Sequence, residues 1–162
     1  MNIAKKIVLL GHFGVGKTSI IRQFVTNEFS HDYKVTIGVH ILKKDVKIKD
    51  IDVSLILWDI EGTNDLNLIN KAYLLGSNSF IFTYDITRPA TYKDLLNQIE
   101  TLKINHPGTS IKIIGNKVDL ISTIDVNDET YASIMEKTDY LTSAKTGENI
   151  ESLFLDLALE NI

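Results

Sequence analysis

Short apolar runs alternate along the chain with segments whose apolar positions recur at helical spacing, the arrangement of β/α units around a mainly parallel sheet. The runs predict strands at 6–10, 39–47, 53–59, 80–84 and 111–115, with a short strand near Tyr140. Helical spacing predicts helices at 17–27, 66–75, 91–105, 128–137 and 150–161. In the third of these, Leu95, Leu96, Ile99 and Leu102 read as a core-facing stripe. No helical pattern separates the runs at 39–47 and 53–59, and Lys49-Asp50 supplies a turn, so this pair is expected to be an antiparallel hairpin at one sheet edge. The expected fold is therefore α/β: a six-stranded, mainly parallel sheet with one antiparallel edge strand and helices on both faces. Segments 26–36 and 61–65 are polar and non-periodic and are expected to be mobile loops.

A length of 162 residues with 44% hydrophobic content suits one domain over 1–162 with a continuous core. The net charge of −4 and the lack of any basic run argue against nucleic acid as a partner. No cysteine is present, which excludes disulfides, thiolate metal sites and thioether or thioester lipid anchors on this chain. Met1-Asn2-Ile3-Ala4-Lys5-Lys6 lacks a signal-peptide pattern and the second-position glycine of myristoylation, and no apolar stretch approaches the roughly 20 residues of a membrane span. The expectation is a cytoplasmic monomer that reaches membranes only through a partner or through residues beyond Ile162.

Chemistry enters at residues 11–18, which read Gly-His-Phe-Gly-Val-Gly-Lys-Thr and follow the apolar run Ile7-Val8-Leu9-Leu10. This is a complete GxxxxGK[ST] loop between a strand and a helix. There, backbone N–H groups from Gly14, Val15, Gly16, Lys17, Thr18 and Ser19 and the positive helix end can converge on phosphates. Lys17 reaches for the β- and γ-phosphates and the Thr18 hydroxyl for Mg²⁺. The strand ending at Trp58 runs into Asp59-Ile60-Glu61-Gly62, a DxxG whose Asp59 can hold Mg²⁺ through water and whose Gly62 N–H can meet a γ-phosphate. Another strand ends in Asn116-Lys117-Val118-Asp119, an NKxD. A fixed Asp119 carboxylate accepts from both N1–H and the exocyclic amine of guanine, which adenine does not offer. Thr142-Ser143-Ala144-Lys145 follows the last strand, where the Ala144 N–H can bond the guanine O6. A capped turn accounts for any one of the last three motifs alone; the four in order, each after a strand, point to a guanine nucleotide. His12 lies in the phosphate loop and reads as a tolerated loop residue in preference to one beside the nucleotide, and His31, His40 and His106 have no ligand spacing.

On these motifs the chain resembles the Ras superfamily of small GTPases, and most closely its Rab branch, over nearly its whole length. The segment Tyr33-Lys34-Val35-Thr36-Ile37-Gly38-Val39 is similar to a Rab first switch. The resemblance implies that the Thr36 hydroxyl binds Mg²⁺ when a γ-phosphate is present, that Phe29 stacks on guanine and that Tyr33 closes over the phosphates. It also implies effectors, exchange factors and activating proteins docking on 29–41 and 58–76, with Trp58 and Tyr73 matching two of three docking aromatics, and a role in vesicle trafficking. Four positions depart from the family pattern: Thr63 replaces the Gln that orients the attacking water, Glu61 replaces a small residue, Phe13 adds bulk to the phosphate loop, and Ile41 holds the third docking position. A Glu61 carboxylate about 4 Å from a phosphate costs on the order of 1 kcal/mol in water and 4 kcal/mol at intermediate dielectric; the alternatives are that it serves as a base for water or that its side chain points outward, away from the phosphates.

Two readings of different class therefore stand. One is a Mg²⁺-dependent GTP/GDP switch that hydrolyses GTP slowly, with Lys17, Thr36, Gly62, Thr63 and Glu61 around the chemistry. The other is a nucleotide-binding interaction module with scarcely any turnover. An ATP-using P-loop kinase leaves Asp119 and Ala144 unexplained.

Overall fold

The computed structural model describes residues 2–32, 35–160 and 162. Its six strands are β1 (Asn2–Gly11), β2 (Val39–Ile48), β3 (Ile51–Ile60), β4 (Ser79–Asp85), β5 (Ser110–Asn116) and β6 (Tyr140–Thr142), in spatial order β2-β3-β1-β4-β5-β6. All neighbours are parallel except β2 and β3, which pair antiparallel through the Lys49-Asp50 turn, with Lys49 at φ 55. The expected hairpin and edge strand are present.

Period-two alternation divides the core between the two sheet faces. Ile7, Leu9, Leu57 and Ile81 face α1 (Lys17–Thr26) and α4 (Ile150–Leu159), where Phe24 and Phe154 stack at 4.1 Å. Val8, Leu10, Phe80, Phe82 and Tyr84 face α2 (Leu95–Asn105) and α3 (Glu129–Met135). Every residue of β4 is buried, as befits a central parallel strand covered on both sides.

The helix expected at 66–75 is two short 3₁₀ turns instead, Leu66–Leu68 and Lys71–Leu74. Asp65 accepts from Asn67 N–H and Asn70 from Ala72 N–H. These side chains give the backbone a turn-forming partner two residues on, which competes with helix propagation. The helix expected at 91–105 starts only at Leu95, because Pro89–Thr91 forms a 3₁₀ turn and the Thr91 hydroxyl accepts from Asp85 N–H. Leu96 of the expected core stripe is 39% exposed, while Leu95, Ile99 and Leu102 are buried. A further 3₁₀ segment, Val118–Thr123, follows β5. Among the described residues, no helix is long and apolar enough to cross a membrane.

Candidate nucleotide site

The carboxyl ends of β1, β3, β5 and β6 deliver the four motifs to one cleft of about 320 Å³, the position where ligands bind in open α/β sheets. Gly14, Gly16, Lys17, Thr18, Ser19, Phe29, Thr36, Gly62, Asn116, Lys117, Asp119, Ala144 and Lys145 line it. Tyr33, expected over the phosphates, lies outside the described residues.

The phosphate loop owes its shape to glycine. Gly16 caps α1 at φ 104 with no side chain to bond the first-turn N–H groups, which leaves those donors for a ligand. A Cβ on Gly16 would fall 2.3 Å from Asn116 Nδ2, so the close approach itself requires glycine. Lys17 is 6% exposed, and its ammonium donates to the Gly11 and His12 carbonyls at 3.0 and 2.9 Å. Burial lowers its pKa to about 8 against the opposing pull of Asp59. His12 is likewise held below its ordinary value by burial and then by Arg88 and Lys17.

Three oxygens converge beside Lys17. Thr18 Oγ1 donates to Asp59 Oδ2 at 2.6 Å, and the Thr36 hydroxyl lies 2.6 Å from Thr18 Oγ1 and 3.4 Å from Asp59 Oδ2. Asp59 is 1% exposed, its Oδ1 has no hydrogen-bond partner among the described residues, and burial raises its pKa before Thr18 and Lys17 lower it. A buried carboxylate with one oxygen met by two hydroxyls and the other left over is a hard-oxygen donor set that fits Mg²⁺. Among the described residues, no group of three or more His, Cys, Asp and Glu side chains offers an alternative.

At the base end, Ser143 Oγ donates to Asp119 Oδ1 at 2.8 Å, which aims the carboxylate; Ser143 itself is fully buried and does not line the cleft. Asn116 acts as a strut. Its Nδ2 donates to Val15 O at 3.0 Å, and its Oδ1 accepts from Thr142 Oγ1 and Ala144 N–H at 3.0 and 3.3 Å. The Val15 side chain is in the core.

Glu61 and Thr63 do not line the cleft. Glu61 N–H donates to Gly38 O at 2.8 Å, and its Oε2 accepts from Gly38 N–H at 3.4 Å, so the side chain turns toward the 35–38 segment. Thr63 Oγ1 donates to Asp65 O at 3.2 Å and accepts from Asp65 N–H at 3.1 Å. Gly62 packs on the phosphate loop so closely that a Cβ would lie 2.5 Å from the Phe13 N and Cα. Phe13 is 47% exposed at the cleft wall. Sequence reasoning missed Arg22, Ser30, His31, Asp32 and Leu120 in the lining. Arg22 follows Thr18 by one helical turn, a signal available in the spacing; His31, by contrast, meets Phe29 edge to face at 5.0 Å through loop geometry that no spacing announces.

A glycine loop at a helix start, a buried hard-oxygen set beside it and a carboxylate aimed by a serine define the site of a P-loop nucleotide-binding protein. A family model described as Ras family matches residues 6–162. Human Ras-related protein Rab-30 is 39% identical over 159 residues, which cover 94% of this chain and 77% of the relative. The Ras-related proteins RABG3e and RABA1c of Arabidopsis thaliana are 33% and 32% identical over 161 and 157 residues, covering 93% and 94% of this chain and 78% and 72% of the relatives. The chain belongs to the Ras family, whose members bind guanine nucleotides and hydrolyse GTP, and its relatives here are Rab proteins.

Proposed function

We propose that residues 1–162 form one G domain that binds GTP and GDP with Mg²⁺, hydrolyses GTP slowly, and thereby regulates partner proteins in vesicle trafficking as a Rab-type switch. The observation that carries this reading is the Asp119 carboxylate, fixed by Ser143 at 2.8 Å in the same cleft as Lys17 and Thr18. Asp119 rewards the donor edge of guanine and is left unpaired against adenine. Lys17 and the open N–H groups of α1 take the phosphates, and the lysine regains a charge partner on doing so. Thr18, Thr36 and Asp59 hold Mg²⁺, which when bound neutralises charge on the transferring phosphoryl group. Thr36 and Gly62 sense the γ-phosphate from the two switch segments.

Slow turnover follows from position 63. The Thr63 hydroxyl is already engaged by Asp65, and a threonine is too short to span to an in-line water. The same observation favours the second reading, a nucleotide-held interaction module. Partner docking is assigned to 29–41 and 58–76, where Ile37, Ile41, Leu68 and Leu75 are exposed and Trp58 lies 6.0 Å from Tyr73 and beside Ile41 in the sheet register.

Chromatography of nucleotide released from the purified, denatured protein tests the base, and single-turnover hydrolysis of bound GTP tests the chemistry. GDP or GTP is expected, with ATP failing to compete, and Asp119→Asn should shift preference to xanthine nucleotides. Equal competition by ATP overturns the guanine reading; bound GTP that never turns over leaves the interaction module.

A further inference from the structure

Asp85, the last residue of β4, is completely buried and has no part in the function proposed above. Its Oδ1 accepts from Thr87 N–H at 2.8 Å and Thr87 Oγ1 at 2.6 Å. Its Oδ2 lies 2.8 Å from the Lys117 ammonium and, among the described residues, has no other partner. Main chain reinforces the contact, because Ile86 N–H donates to Asn116 O at 3.2 Å. At the other end of the same turn, Arg88 Nη1 donates to Phe13 O in the phosphate loop at 2.9 Å. Thr91, 2% exposed, closes the turn on itself: its hydroxyl accepts from Asp85 N–H at 2.9 Å and lies 2.7 Å from Arg88 O.

A buried carboxylate left without its cation is strongly penalised, so Asp85 and Lys117 hold each other in place. Lys117 stands at φ 70, a conformation that a residue other than glycine keeps only when its surroundings enforce it, and its side chain lines the cleft. Arg88 ties the phosphate loop to the turn that anchors the base loop. We propose that turn 85–88 is a brace that sets how long nucleotide stays bound: Asp85 is a positioning residue for Lys117, and Arg88 is a positioning residue for the phosphate loop. The inference rests on the guanine-nucleotide reading.

Release of a fluorescent GDP analogue in excess GDP tests it. Loss of a charge-assisted contact predicts about tenfold faster release from Asp85→Asn and about threefold from Arg88→Ala, with Arg88→Lys between Arg88→Ala and the unmodified protein. In a Lys117→Ala background, Asp85→Asn should change release by less than about twofold, because its contact is already gone. An equal factor in both backgrounds means that Asp85 supports the fold alone, and it overturns the positioning role. Should Asp85→Asn fail to fold, the exposed Arg88→Ala and the milder Thr87→Ala carry the test, and release at the unmodified rate from both overturns the brace. Absence of GDP binding to the unmodified protein removes the guanine reading together with the brace, whereas tight GDP binding with unchanged release in the variants removes the brace alone.

Discussion

Lys17 makes the nucleotide-free protein sensitive to pH in a direction unusual for a lysine. Its folded pKa of about 8 lies below the ordinary 10.5 because the ammonium is buried against the Gly11 and His12 carbonyls. The unfolded chain therefore binds more protons between these two values, and stability rises with pH across that window. At about 1.4 kcal/mol per pH unit once the folded-state ammonium has lost its proton, and half that slope at pH 8 itself, moving from pH 8 to about 9.5 should stabilise the stripped protein by about 1.6 kcal/mol. A urea midpoint should move up by roughly 1 M at a slope of about 2 kcal/mol per molar. Lys17→Met has no such group to titrate, so the difference between the two proteins, not the absolute slope, isolates the effect from Lys5 and Lys6, whose pKa values are also lowered by burial. Saturating GDP and Mg²⁺ should flatten the slope of the unmodified protein, since phosphates stabilise the ammonium in the folded state. Identical slopes in stripped unmodified protein and Lys17→Met would refute the reasoning, because the buried ammonium then costs the fold nothing.

Thr63→Gln should raise the single-turnover rate of GTP hydrolysis by about tenfold or more, the scale of a positioned water; an unchanged rate means that another residue already positions it. Glu61→Ala should alter the ratio of GTP to GDP affinity by less than about threefold, since the carboxylate turns to Gly38 N–H and is screened by solvent there. A tenfold gain for GTP in equilibrium titrations would place that charge against the γ-phosphate after all. Gly16→Ala should abolish nucleotide binding and cost about 1–3 kcal/mol in denaturant unfolding, given a Cβ 2.3 Å from Asn116 Nδ2 and φ of 104. Binding at unmodified affinity would show that the loop relaxes freely.

The central strands were legible because they read as apolar runs bounded by polar or glycine positions, and the motifs fell at the carboxyl ends of the parallel strands as that topology requires. The 66–75 segment was not, since its apolar spacing looks helical while Asp65 and Asn70 cap turns locally. Leu96 fits the stripe in sequence but lies one helical step off the buried face. The contacts of Asp85 and Arg88 carry no sequence signature at all; Arg88 meets a carbonyl 75 residues away, and a carbonyl exists at every position. The fates of Glu61 and Thr63 were hidden for a related reason, because rotamer and neighbouring turn decide whether a side chain enters a cleft or bonds its own loop.

Asn116 joins Val15, Thr142 and Ala144 in one buried knot, with the first of these links spanning 101 residues of chain. A growing polypeptide can complete the phosphate loop and its helix early, but it cannot assemble this knot until Ala144 has been made and β6 has joined β5. Under the proposed function, nucleotide capture is then a late event in folding: the ligand stabilises the finished domain and gives little help to the fragments that precede it.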